Sequence, residues 1–105
     1  MVQNKEKVVV YLESLVNSVF KILPLYEESN VGVKTYVESL LFDLDSYEDV
    51  VEVKQGAEYV QLMLTLTSLK KEISKSNSKK AVVKREVFKC INIIKNMIAK
   101  LEEDE

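Results

Sequence analysis

Only three of the 105 residues, Pro24, Gly32 and Gly56, are proline or glycine. Globular chains carry roughly 12% of the two together. Sandwiches and barrels need glycine and proline at their many turns, because those turns demand positive φ or a fixed φ. Their scarcity disfavours an all-β fold, and it rules out Gly-rich phosphate loops and collagen. A chain that turns this seldom runs in long elements.

The apolar spacing says which kind. Val8, Leu12, Leu15, Val19 and Ile22 step by four and three, and so do Val33, Val37, Leu40, Leu44 and Tyr47. A third segment holds Tyr59, Leu62, Leu66, Leu69 and Ile73, and a fourth holds Val83, Val87, Cys90, Ile94, Met97 and Leu101. This rhythm puts each set on one helix face. Breaks fall at Leu23-Pro24-Leu25 with the polar residues after it, and at Ser74-Lys75-Ser76-Asn77-Ser78. Four seams with short connections predict an all-α, antiparallel up-and-down four-helix bundle, with residues 1–105 as a single domain.

The boundary between the second and third segments has three readings. Ser46 caps the third helix, with Asp49 as its capping-box partner. Or the second helix runs on to Gly56, with Lys54 in its last turn. Or Val50–Val53 and Tyr59–Leu66 form a β-hairpin around Gln55-Gly56, an α+β alternative. Val60, Leu62, Leu64 and Leu66 alternate with Gln61, Met63, Thr65 and Thr67, as a strand would, and the chain has sixteen valines. A lone two-stranded hairpin, however, is marginal without further strands.

Several chemistries lack their residues. There is no histidine, which removes Ser-His and Cys-His nucleophiles and the inward Glu-x-x-His pairs of a di-metal bundle. The acidic run Asp43 to Asp49 resembles a cation loop only superficially. Counted from Asp43, Glu48 stands where an EF-hand needs glycine and Lys54 where it needs glutamate. Cys90 falls on the inner seam of the fourth segment and reads as a small core hydrophobe with an inert thiol. No catalytic residue, metal ligand or cofactor is expected, and the chain does not read as an enzyme.

Charge is unevenly spread. The net charge is −2, but residues 27–58 hold two lysines against nine acids, whereas residues 70–100 hold ten basic residues against Glu72 and Glu86. In an up-down bundle Lys70, Lys71, Lys75, Lys79, Lys80, Lys84 and Arg85 converge at one pole. Such a pole attracts phosphate or an acidic partner, or simply stays solvated. A single arginine and no interleaved aromatic row disfavour base readout, so nucleic acid is the second choice of partner.

Val, Ile, Leu, Met and Phe total 40 residues, and the four seams use just over twenty of the apolar positions. Flanking residues such as Val9, Val16, Phe20, Leu41, Val60, Met63, Leu64, Ile91 and Ile98 widen the stripes. Phe42, Phe88 and Ile93 lie further round, where a monomer shows water. They are the candidate interface, with the fourth helix as the contact element and a homodimer as the expected assembly. The expected function is therefore a protein-interaction or structural role, with polyanion binding at the Lys70–Arg85 pole as the alternative. A lone cysteine suits a reducing cytoplasm. No signal peptide is visible, no stretch approaches the ~20 consecutive apolar residues of a membrane span, and no small-molecule ligand is marked.

Overall fold

In the computed structural model, residues 5–29, 31–47 and 56–103 are described. They form a helical bundle, a rod of 45 × 21 × 20 Å, with no strand among them. The helices are α1 (Lys5–Phe20), α2 (Ile22–Glu27), α3 (Val33–Ser46), α4 (Ala57–Ser74) and α5 (Lys80–Glu103).

The predicted first helix is the α1–α2 arm, interrupted at Lys21. Proline explains the interruption: Pro24 has no N–H to donate to the Phe20 carbonyl. On either side the ladder resumes, with Lys21 donating to Asn17 (3.2 Å) and Leu25 to Lys21 (3.3 Å). After α2 the chain reverses through Ser29, whose φ of 56° is the left-handed conformation that often ends a helix. The arm also corrects the expectation about membrane spans. Within Lys5–Glu27 an 18-residue window has a mean hydropathy of 1.6, and the segment is, by length and composition, long and apolar enough to cross a bilayer. Between Val8 and Tyr26 only Glu13 and Lys21 are charged, so counting unbroken apolar runs missed it. In the bundle its inner face is core: Val8, Leu12, Leu15, Val19 and Ile22 are buried.

The seams fill the core as the spacing predicts. Val33, Val37, Leu40, Leu44, Tyr59, Leu62, Leu66, Leu69, Val83, Val87, Cys90, Ile94, Met97 and Leu101 are all buried, while Tyr47 and Ile73 at seam ends are half-buried. Long-range bonds fix which ends meet. The Lys100 ammonium near the end of α5 donates to Glu58 in the first turn of α4 at 2.6 Å. The Tyr36 hydroxyl of α3 donates to the Ser18 carbonyl of α1 at 2.8 Å. At the other pole Tyr26 and Ser78 share a hydroxyl–hydroxyl bond of 2.7 Å. The first of these joins the end of α5 to the start of α4.

The uncertain boundary resolves differently at its two sides. Helix α3 ends at Ser46, and Tyr47 follows in an extended conformation. Ser46 thus closes one helix and does not cap the next. Gly56, at φ −82° and ψ 153°, starts α4 and does not end α3. Asp49, Lys54, Gln55 and the proposed strand Val50–Val53 lie outside the described residues. The other proposed strand, Tyr59–Leu66, is helical. A strand would put Val60, Leu62, Leu64 and Leu66 on one face. The helix instead buries Leu62 and Leu66 fully and leaves Val60 51% and Leu64 65% exposed. The 3,4 seam wins because it delivers three fully buried leucines, Leu62, Leu66 and Leu69, to the shared core. The β-branched Thr65 and Thr67 are accommodated by donating to the Gln61 and Met63 carbonyls one turn back, at 2.7 and 2.8 Å.

Candidate functional site: the basic pole and the exposed apolar faces

Cys90 is buried on the inner seam of α5, as expected. Burial pushes its thiol up to about 12, with the nearby Glu86 charge adding to the rise. A thiol reagent therefore reacts slowly with the native protein and fast once it is denatured. Equal rates in both states would place Cys90 at the surface.

The basic pole is partly neutralised from within. Lys70 pairs with Glu38 (3.4 Å), Lys75 with Glu72 (3.2 Å), Lys80 with Glu27 (3.6 Å) and Arg85 with Glu86 (3.6 Å). Among the described residues Lys71, Lys79 and Lys84 have no carboxylate partner. Glu72 does more than offset charge. Its second oxygen accepts the Lys79 backbone N–H at 2.8 Å, just before the first turn of α5. A carboxylate from the end of α4 thereby serves the start of α5, where the sequence supplies lysines that oppose the helix dipole. That N–H, then the Lys75 ammonium, hold the Glu72 carboxyl below its ordinary 4.5. With the folded value depressed, this stabilisation is complete above pH 4.5 and is lost as pH falls through the folded value. Glu72→Gln should thus flatten the acid limb of an unfolding curve relative to the parent. Superimposable acid limbs would deny Glu72 this role.

The predicted interface residues separate. Phe42 on α3 is 70% exposed, as a contact residue should be. Phe88 is also exposed, at 39%, and packs edge-on against Phe20 with ring centres 5.6 Å apart and planes at 89°. Ile93 is buried at 7% exposure, so its assignment to an outer face is corrected. The reason is the number of neighbours of α5. It packs against α4, α1 and α2, so both sides of its apolar stripe are core and Ile91 and Ile93 are absorbed with the seam. Much of the apolar surplus goes there, and α5 keeps a lysine-rich outer face of Lys84, Arg85, Lys89 and Lys95.

The residues that sequence reasoning missed are on α4. Val60 and Leu64 widen the apolar stripe on paper, but in the bundle they point outward one turn apart. The signal was legible: Tyr59 to Leu69 is eleven residues without a charge, in a chain that is 30% charged. The exposed positions of that run are Val60, Gln61, Leu64 and Ser68. Phe42 lies one turn beyond Glu38, which is tied to Lys70 of α4.

Open clefts mark the surface among the described residues. One of about 430 Å³ at the basic pole is lined by Tyr26, Glu27, Ser29, Val33, Ile73, Ser78 and Lys80. A second, about 530 Å³, lies beside Tyr11 and Tyr47, whose rings stack at 4.1 Å and 8°. The Tyr11 and Tyr59 hydroxyls are buried there and in the core without a hydrogen-bond partner, and burial, aided by Asp43, pushes Tyr11 up to about 12. The third, about 420 Å³, runs between Glu13, Val16 and Asn17 of α1 and Lys95, Ile98, Ala99 and Glu102 of α5. Among the described residues no group of three or more Cys, Asp or Glu side chains is placed to hold a metal ion. Comparison with family models, with curated proteins and with solved structures gives no match.

Proposed function

We propose that this protein works by binding protein, and that the chain it binds is a second copy of itself. One observation carries the reading: large apolar side chains stand in water on the outer faces of α3 and α4, with Phe42 at 70% and Leu64 at 65% exposure. Apolar area left in water costs about 25 cal/mol per Å², and a partner that covers it recovers that energy. The charged poles would then set the orientation of the complex. Polyanion binding through the Lys70–Arg85 pole draws weaker support, because four of the seven side chains already face carboxylates. Sedimentation equilibrium at micromolar concentration tests the reading. A mass near twice 12.1 kDa is expected, unchanged by moderate salt. A protein that stays at 12.1 kDa up to the highest soluble concentration contradicts self-association.

A further inference from the structure

The side of the rod formed by α1 and α5 carries an aromatic pair in a basic surround. We propose that this patch docks on an anionic lipid surface, with Phe20 and Phe88 dipping to the acyl boundary and the lysines around them meeting the headgroups.

Three observations point there. The first is the pair itself. Phe20 and Phe88 are both exposed, and they stand on two different helices with their rings in edge contact. A pair fixed by edge-to-face packing is preorganised, so little freedom is lost when it enters another phase. The second is the charge around it. Within four residues of either ring the exposed charged side chains are Lys21, Lys84, Arg85 and Lys89, and none is acidic. Glu86, the one acid in that span, is half-buried against Arg85. Lys21, Lys84 and Lys89 have no carboxylate partner among the described residues, so their charge is uncommitted. Aromatic side chains ringed by cations suit the headgroup region of an anionic membrane. The third is the arm that carries Phe20. The apolar window within Lys5–Glu27 is only 28% buried in the bundle. A helix whose apolarity served the core alone would be mostly buried. Here much of it lies outward, and at the Phe20 end Leu23 is only partly covered and Pro24 is exposed. The bundle stays folded in this contact, because the arm lies on the lipid surface with its inner seam still in the core.

Other occupants fit less well. A second copy docked on the same patch would set lysine against lysine. An acidic helix lying along the α1–α5 side would run into Glu13 and Glu102, which line the cleft that begins one turn from Phe20, at Val16. A lipid surface touches only the basic-pole end of the rod, where the pair sits.

Co-flotation with vesicles tests the proposal. The probes are vesicles of phosphatidylcholine alone and of phosphatidylcholine with phosphatidylserine in equal parts. The parent should float with the mixed vesicles, stay behind with the neutral ones, and be released from the mixed ones by raised salt. Each lysine near an anionic leaflet is worth about fivefold in partition, so Lys84→Ala with Lys89→Ala should weaken binding about tenfold or more. Both side chains are exposed, so this variant should keep its helical circular dichroism. Phe88→Ser should weaken binding about tenfold, whereas Phe42→Ser, an exposed aromatic lost from α3, should leave it unchanged. A parent that floats with neither vesicle, or equally with both, overturns the proposal. So does binding that survives the lysine pair and Phe88→Ser, or that Phe42→Ser abolishes. Retention on immobilised polyglutamate without vesicle binding would overturn it too, and would assign the patch to an acidic protein.

Discussion

Ile93→Asp should unfold the protein. Ile93 lies on the side of α5 that faces the bundle, at 7% exposure. Asp there loses the buried isoleucine, worth about 2–5 kcal/mol. It also strands a carboxylate in the apolar interior, and an uncompensated buried charge costs about 3–5 kcal/mol more. Small domains have total stabilities of about 5–15 kcal/mol, so the sum consumes most or all of it. Far-ultraviolet circular dichroism at 25 °C should show the helical signal lost or its denaturant midpoint collapsed. A variant with full helicity and an unshifted midpoint would return Ile93 to the surface. This outcome separates Ile93 from Phe42, where the same change to Asp at a 70% exposed site should leave the fold standing.

The second large effect contrasts two leucines on one helix. Leu62 is fully buried at the centre of α4, and Leu64, two positions on, is 65% exposed. Leu62→Ala opens a cavity in the shared core and should cost about 2–5 kcal/mol in a urea titration. Leu64→Ala should move the intrinsic stability of the monomer by less than about 0.5 kcal/mol, the usual range for a surface change. Any loss it causes should grow with protein concentration, because a dimer stabilises the folded chain by mass action. Equal losses at Leu62 and Leu64, at all concentrations, would mean that α4 is rotated from the position described.

These contrasts bear on how much the sequence could say. The helices and their inner seams were legible, since the 3,4 spacing carries enough repeats to fix a face, and the buried residues of α1, α3, α4 and α5 other than Thr65, Glu72, Ile91 and Ile93 fall on it. Punctuation was less so. Pro24 reads as an end, but it lies inside α2 and the ladder closes again one residue later, so the helix runs on to Glu27. Ser46 has the side chain of an N-cap and sits instead at a C-terminus, because local propensity does not say which of two adjoining helices a residue serves. The outer faces were the hardest. Whether an apolar residue beyond the seam is core or surface depends on how many neighbours its helix has. Helix α5 has three, which absorbs Ile93, whereas no other described helix covers the outward face of α4, which leaves Leu64 in water. Glu72 shows the same limit for charge: it looks like the one acid among basic residues, and only the turn between α4 and α5 brings its carboxylate to the Lys79 N–H.

The central claim is that the exposed apolar side chains of α3 and α4, Phe42 and Leu64 foremost, meet a second copy. The most direct measurement is sedimentation equilibrium on the parent and on Leu64→Lys at one micromolar-range concentration, with circular dichroism on the same samples. The account predicts about twice 12.1 kDa for the parent and 12.1 kDa for the variant, with equal helical signals. A dimeric, fully helical Leu64→Lys protein would contradict it.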